Sequence, residues 1–317
     1  MIEFTIVIES FTLTEGHASR FFLTLNAARR LAADRGEVVV ADVFGAQDFQ
    51  ALLARDYPDV RRLDVVDVKY DQAKAAAAKA ARGDYVVFLD GDCEPQPHWL
   101  DHLLAELRRE PTGGVAGFTR YDPGFYGSLM SVMDFGFLFP IRRRPLLCYA
   151  SNNCGFPRQV LLDVPVPTGA LRCLCHFHAC TLLRRGTPVR LVPEARAVHE
   201  TAAFWPERTR QGYDRVAAAM VDRALPEHTW LKAGILAAPL FYLREVWLDW
   251  RRTLWGWRDL ELRWWQVPVA LGLYPVLRLA DLIGIARAFV VAPAEDGWGG
   301  TTFGGKAVHT PDVTVKH

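Results

Sequence analysis

Four short apolar runs, at residues 4–8, 38–43, 63–68 and 85–89, are separated by stretches of helical length, and this alternation restricts the fold more than any other feature. The intervening stretches cover residues 17–33, 46–55, 71–82 and 97–109, and residues 72–82 are almost pure Ala and Lys, strong intrinsic helix formers. Apolar runs that do not alternate with polar residues are buried on both faces. Strands achieve this in a parallel sheet whose crossover helices cover it above and below. The pattern therefore predicts an α/β fold with a mostly parallel central sheet and helices on both faces. Such sheets bind ligands beyond the C-terminal ends of their strands. Acids stand at those ends: Glu9 after the first run, Asp42 late in the second, Asp90 and Asp92 after the fourth.

The fourth run carries the most chemistry. Tyr85-Val-Val-Phe-Leu leads directly into Asp90-Gly91-Asp92, and Gly91 allows a turn tight enough for both carboxylates to face one point. Mg2+ and Mn2+ prefer oxygen ligands and leave room for phosphate oxygens. A diphosphate leaving group needs that neutralisation as negative charge builds on it. An isolated Asp-Gly-Asp reads equally well as an acidic turn; its place at a strand end favours the cation.

Other polar groups admit two readings each. Arg208, Arg210 and Gln211 could clamp a diphosphate, since guanidinium forks match phosphate oxygens, or form a solvated face. His199 could complete a carboxylate metal site or be a satisfied loop histidine. The triplet Arg142-Arg143-Arg144 follows Phe135, Phe137 and Phe139, and could meet an anionic acceptor or lipid headgroup or lie in a solvated turn. Cys173, Cys175, His176, His178 and Cys180 have the composition of a zinc site, but on one helix they point in several directions.

Composition narrows the field. A formal net charge of +1 gives no electrostatic footprint for nucleic acid. The N-terminus shows no basic segment or cleavage site, and the six Cys form no secreted-type framework, so a cytoplasmic location is expected. Most of the ten Trp lie past residue 200. There, residues 231–248 and 267–291 are long apolar stretches interrupted by Lys232, Arg244, Arg278, Asp281 and Arg287. A spanning helix needs about 20 uninterrupted apolar residues. The flanking Trp and Arg residues suit a helix pair lying on a membrane surface, and a buried helical subdomain or a homo-oligomer interface is the alternative.

Several segments together resemble family 2 glycosyltransferases of GT-A fold. They are Glu9 at the first strand end, Val38-Val-Val-Ala-Asp42, Tyr70-Asp-Gln-Ala-Lys74, Gly83-Asp-Tyr-Val-Val-Phe-Leu-Asp90-Gly-Asp92, Asn152-Asn153-Cys-Gly-Phe-Pro-Arg158, and Arg210-Gln-Gly212-Tyr-Asp214. The resemblance covers about residues 2–215. It implies a GT-A catalytic domain at 1–215, while the apolar stretches predict a helical extension at 216–293 and the Gly-, Thr- and His-rich end a loose tail at 294–317. It also implies a UDP-sugar donor, Mn2+ or Mg2+, and inverting transfer to a small-molecule or lipid-linked acceptor at the cytoplasmic face of a membrane. Glu9, Asp42, Lys74, Asp90, Gly91, Asp92, Arg208, Arg210 and Gln211 would then bind donor. Asn152, Asn153 and Arg158 would meet acceptor, and Asp90, Asp92 and His199 would hold the metal.

The chain departs from the family pattern at two places. Ala75 and Ala77 replace the Asn and Gly that follow the family Lys. No carboxylate lies between Asp163 and Glu194, where the family carries its catalytic acid and where this chain reads Leu171-Arg-Cys-Leu-Cys-His176-Phe-His178. The base that deprotonates the acceptor is then His176 or His178 by chemistry, or Asp134 or Asp122 as a carboxylate. A protein that binds sugar nucleotide without turnover is the rival reading. A nucleotidyltransferase is disfavoured, because residues 10–17 contain one Gly where a Gly-rich phosphate loop would lie.

Overall fold

A computed structural model describes residues 2–14, 18–66, 68–109, 112–168, 174–201, 204–220 and 226–290. The expected tail at 294–317, and Arg172 and Cys173, lie outside the described residues. Eight strands form one sheet: β1 (Phe4–Glu9), β2 (Gly36–Asp42), β3 (Arg61–Asp64), β4 (Tyr85–Leu89), β5 (Cys93–Pro95), β6 (Gly114–Tyr121), β7 (Asn153–Pro157) and β8 (Val189–His199). Their order is β3-β2-β1-β4-β7-β6-β8-β5. β1 to β4 pair in parallel, as do β6 and β8, while β7 runs antiparallel between β4 and β6, and β5 antiparallel on β8.

The helices are α1 (Phe11–Thr14), α2 (Ala18–Ala32), α3 (Gln47–Asp56), α4 (Tyr70–Ala80), α5 (Trp99–Leu107), α6 (Phe125–Phe135), α7 (Arg158–Asp163), α8 (Leu174–Arg184), α9 (Phe204–Met220), α10 (Ala238–Gly256) and α11 (Gln266–Val290). Strand alternation divides the core. Phe4, Ile6 and Ile8 join Phe21, Leu25 and Trp99 in one cluster. Val7, Val86 and Phe88 join Ala73, Ala77 and Leu129 in the other. The α/β expectation thus holds, with helices on both faces and the long apolar α11 at the C-terminus.

The expected third strand, 63–68, begins two residues earlier and stops at Asp64, because it is an edge strand that is only half-buried. β5, β6 and β7 carry no long apolar run and did not stand out in the sequence. β6 reads Gly-Val-Ala-Gly-Phe-Thr-Arg-Tyr, and it is buried because strands cover both its edges and α5 and α6 cover its two faces.

The last three helices are joined from inside by charge. Arg208 is fully buried, and its Nε and Nη2 donate to the two Asp281 oxygens at 2.8 and 2.7 Å. Its Nη1 meets Asp134 of α6. Arg278 holds Asp249 at 2.7 and 2.9 Å and Asp281 at 2.6 Å, and Arg215 reaches Asp281 at 3.2 Å. Helix α9 continues past residue 215 and crosses α11 closely. A Cβ at Gly212 would lie 2.1 Å from the Asp281 carbonyl oxygen, and one at Gly284 2.0 Å from that of Thr209.

Pro275 lies inside α11 and offers no N–H to the Leu271 carbonyl one turn back. The Trp250 indole supplies the missing donor at 2.8 Å. Trp250→Phe keeps the ring but loses that donor, so urea denaturation should register a loss of about 1 kcal/mol.

The ion network also sets the acid limit of stability. Burial pushes Glu245 up, but Arg278, Arg215, Arg252 and Arg244 outweigh it and hold the carboxyl at about 2, below its usual 4.5. Asp281 is likewise held low by Arg208, Arg278 and Arg215 against the effect of burial. A carboxyl with a depressed folded-state pKa stabilises fully above its unfolded value and loses that contribution as pH falls through the folded one. Asp249, pushed up by burial despite Arg278, acts in the opposite sense. Unfolding free energy measured by urea titration should therefore fall between about pH 4.5 and 2. In Glu245→Gln that fall should be shallower.

Candidate functional site

The C-terminal ends of β1, β2, β4, β6 and β8 share one edge of the sheet, and most of the expected acids meet there. β4 delivers Asp90, which is almost buried, and α4 brings Tyr70 and Lys74 to it from successive turns. The Tyr70 hydroxyl lies 2.8 and 2.7 Å from the two Asp90 oxygens, and Lys74 Nζ donates to Asp90 Oδ1 at 2.5 Å and to the Ser151 carbonyl at 2.7 Å. Burial lowers the Lys74 pKa, but Asp90 and Glu9 more than offset it, so the ammonium stays charged.

Glu9, at the end of β1, accepts from the Phe11 and Gly91 amides at 2.6 and 3.4 Å. Burial and neighbouring Asp90 push its carboxyl up to about 8. Gly91 is required: a Cβ there would sit 2.7 Å from the Phe21 ring and 2.8 Å from Thr12 Oγ1. Besides burial, the upward shift at Glu9 reflects the negative potential that Asp90 and Asp92 set up at the strand ends.

Asp92 turns the other way. The β5–β8 pairing sets Cys93 opposite His199, and His199 Nε2 faces Asp92 Oδ2 at 3.4 Å. His199 Nδ1 lies 2.7 Å from the Glu200 carbonyl, a pure acceptor, so Nδ1 carries a proton and Nε2 is aimed at the carboxylate. Burial lowers the His199 pKa, yet Asp92 and the Glu200 carbonyl raise it further, for a net upward shift. The Tyr121 ring packs edge-on against the imidazole at 5.3 Å.

A carboxylate oxygen and an imidazole nitrogen suit Mn2+, and neutral Nε2 has the lone pair for it. The ligand atoms of Asp92, Cys93 and His199 lie within 4.8 Å of one another. Cys93 is an unsuitable member, because burial and then Asp92 push its thiol well above the ordinary range. The donor chemistry thus fits a divalent cation at Asp92 and His199, with Asp90 alongside but already engaged by Tyr70 and Lys74.

Asp42 is fully buried at the end of β2. Its Oδ1 accepts from the Phe44 and Gly45 amides at 3.0 and 2.9 Å, and its Oδ2 from half-buried Arg62 at 2.9 Å. It therefore shapes the loop over β2. Asn152 sits beside Asp90, its carbonyl accepting from the Asp90 amide at 3.3 Å and its side chain from Thr119 at 3.0 Å.

Several expected site residues are placed elsewhere. Asn153 is fully buried and braces the core, accepting from the Trp99 indole at 2.7 Å and donating to the Ala195 carbonyl at 3.2 Å. Arg158 lies at the opposite end of the sheet, because β7 runs antiparallel to β4, and its Nε holds the Ala81 carbonyl at 2.7 Å. Neither is positioned to meet an acceptor beside Asp90. Arg208 is enclosed by Asp134 and Asp281, so it is a core ion-pair residue and not a phosphate clamp. Arg210 and Gln211 both engage Glu207, at 2.7 Å each. Arg143 pairs with Glu106 and Glu194, and Arg144 with the Phe137 and Phe139 carbonyls, which makes the triplet largely structural.

The candidate bases divide in the same way. His178 is fully buried between the Tyr149 hydroxyl and the Val164 carbonyl, both at 2.8 Å, and burial lowers its pKa. Asp134 is buried against Arg208 and Tyr121. Both are therefore core residues and not bases. His176 is half-exposed, with Nδ1 on the Leu147 carbonyl at 2.7 Å. Asp122 stands just past β6, held by Arg20 at 2.5 Å and by Thr201 at 3.0 Å, with 39% of its side chain exposed. Arg20, which also meets Glu94 at 3.0 Å, was missed in the sequence. The partners of Arg20 are 74 and 102 residues away, and no local pattern announces them.

Residues 24–161 match the family model described as glycosyl transferase family 2. A mannosyltransferase from Pyrobaculum calidifontis, PcManGT, solved with GDP-Man and Mn2+, is similar at 16% identity and a TM-score of 0.56. That alignment covers 91% of this chain and 87% of the mannosyltransferase, and it shows a shared fold. GalNAc-T7, solved with UDP, GalNAc and Mn2+, aligns at 14% identity and a TM-score of 0.49 over 63% of this chain. This chain spans 44% of that protein. No curated protein sequence matches the chain.

Proposed function

We propose that this chain, whose residues 24–161 match the family 2 glycosyltransferase model, moves a sugar from a nucleoside-diphosphate donor to an acceptor with inversion. The observation that carries this reading is the pairing of Asp92 with His199 beside the Lys74–Asp90 pair at the strand ends. Residues 1–215 serve as the catalytic domain in this reading, and 216–293 as a helical extension. Asp42 and Lys74 lie toward the nucleoside, which is assigned as UDP. Asp92 and His199 would hold Mn2+ or Mg2+, with Asp90 flanking them. Bound there, the cation supplies charge neutralisation for the departing diphosphate.

The chain's own groups do the rest. Lys74 pairs with Asp90 and adds positive potential where the leaving group accumulates charge. Glu9 and Gly91 hold the turn that aims Asp92. Asp122, open to solvent near the strand ends, is assigned as the base that takes the acceptor's proton, since His178 and Asp134 are committed to the core. The acceptor is a small molecule or a lipid-linked hydroxyl compound, and the protein works at the cytoplasmic face of a membrane.

The PcManGT complex with GDP-Man supports a nucleoside-diphosphate sugar as the donor class and makes GDP-sugars the second arm of the test. A turnover assay with UDP- and GDP-sugars, with and without Mn2+, should release nucleoside diphosphate from one donor only when metal is present. If UDP or GDP binds with Mn2+ but no donor is ever hydrolysed or transferred, the protein is a non-catalytic binder.

A further inference from the structure

Helices α10 and α11 are reversed in polarity relative to a water-soluble helix pair. Their buried faces carry Glu245, Asp249, Arg278 and Asp281, while their outward faces are apolar. On α10 the outward stripe is Leu240, Leu243, Trp247 and, one turn past exposed Arg251, Leu254 and Trp255, with Trp255 65% exposed. On α11 it is Val269, Val276, Leu279 and Ile283. Trp264, in the connection, is 76% exposed. The helices lie side by side: Trp250 reaches the Leu271 carbonyl, Thr253 the Tyr274 hydroxyl and Tyr242 the Pro275 carbonyl. A surface helix normally turns its charges outward and its apolar stripe to the core. A contiguous outward apolar face marks a contact site.

We propose that the outward face of the α10–α11 hairpin docks into the headgroup–acyl boundary of an anionic lipid bilayer, lying in the plane of the membrane. Charge selects the occupant. Exposed residues of α10 and α11 include Arg251 and no Asp or Glu, and the connection adds exposed Arg258 and Arg263 beside one exposed carboxylate, Glu261, which pairs with Arg120. Arg251 lies over the Trp255 ring at 4.5 Å and Arg258 over Trp257 at 5.0 Å. Two copies packed through the helix faces would oppose Arg251 with no exposed α10 or α11 carboxylate across from it, whereas anionic headgroups supply that partner. Indoles beside arginines, with aliphatic side chains between, match the depth profile of a bilayer interface.

The same geometry excludes a span. Helix α11 has 25 residues, with a mean hydropathy of 1.7 over its most apolar 18-residue window, and is long and apolar enough to cross a membrane. Its opposite face, however, is committed to α9 through the Gly212 and Gly284 crossing and to α10 through the Arg278 pairs. Lipid can therefore reach one face only. The connection between the helices also contacts the catalytic half: Ser128 of α6 bonds the Leu260 carbonyl at 2.9 Å, and Arg120 of β6 pairs with Glu261 at 2.8 Å. Docking therefore holds the end of β6, with Asp122, near the headgroups. This last consequence rests on the transfer reading; the docking itself does not.

Sedimentation of the full chain with sucrose-loaded vesicles separates the outcomes. The protein should pellet with phosphatidylcholine–phosphatidylglycerol vesicles, weakly with phosphatidylcholine alone, and less as salt rises. Its tryptophan emission should shift to the blue on binding. Leu243→Glu/Trp247→Glu should lower vesicle partition by more than about 100-fold, because each change removes one inserted apolar side chain and adds a charge. Leu243→Phe/Trp247→Phe should retain binding, and both variants should keep the wild-type unfolding midpoint. Failure of the wild type to pellet with anionic vesicles would overturn the proposal, as would equal pelleting of the Glu variant. A wild-type dimer in lipid-free sedimentation equilibrium that the Glu variant converts to monomer would assign the face to a second copy instead.

Discussion

Asp92→Asn is expected to lower sugar transfer by about 1,000-fold or more while leaving the fold intact. The amide keeps the size of the carboxylate but removes the charge that faces His199 Nε2 at 3.4 Å. A neutral amide oxygen is a weaker ligand than a carboxylate for a hard divalent cation, and without the cation the diphosphate leaves unneutralised. The variant should also lose the thermal stabilisation that donor and Mn2+ together give the wild type, since a ligand stabilises only the state that binds it. Asp90→Asn makes the contrast. Asp90 is the ion-pair partner of buried Lys74, so its loss leaves an ammonium with carbonyl and hydroxyl contacts alone. That variant should be destabilised as well as inactive, by about 3 kcal/mol in urea denaturation. If Asp92→Asn unfolds like Asp90→Asn, or keeps its metal-dependent donor binding, the division of labour between the two acids is wrong.

Arg208→Ala is expected to be the most destabilising single change in the C-terminal half, at about 3–5 kcal/mol by urea denaturation. The guanidinium is fully buried and joins Asp134 of α6 to Asp281 of α11. Removing it leaves two buried carboxylates partly uncompensated and opens a void between three helices. Arg208→Lys should recover little, because one ammonium cannot reproduce the two parallel bonds to Asp281. This result separates the observed role from the one expected from the sequence. A phosphate-clamping arginine would raise the KM for donor with little effect on stability. A core arginine lowers stability and leaves the KM of the folded fraction near wild type.

The sequence was most legible where local pattern and tertiary role coincide. Residues 4–8, 38–43 and 85–89 are apolar because their strands are interior to a parallel sheet, and the same runs fix where Glu9, Asp42 and Asp90 emerge. β7 defeated local reading, since its direction is decided by which strands flank it. That reversal carries Arg158 to the far end of the sheet, although the Asn-Asn segment only a few residues earlier lies beside Asp90. Burial of charge was illegible for a related reason. Arg208 and Asp134 look like surface polar groups in a helical pattern, and only the packing of α9 against α11 shows that they neutralise each other in the interior. His178 has the chemistry of a base, but the hydroxyl of Tyr149 and the carbonyl of Val164 occupy both its nitrogens. Composition did foreshadow the Trp- and Arg-rich C-terminal surface, because those residue types are costly to place without a purpose on an outward face.

In the proposed function, Asp92 and His199 together hold the divalent cation that binds the donor diphosphate. Crystals grown with Mn2+ and UDP, with diffraction recorded above the manganese absorption edge, test it most directly. The account predicts an anomalous peak within bonding distance of an Asp92 oxygen and His199 Nε2, with diphosphate oxygens completing the coordination. An anomalous peak elsewhere, or ordered UDP at the strand ends with no metal beside Asp92, would contradict it.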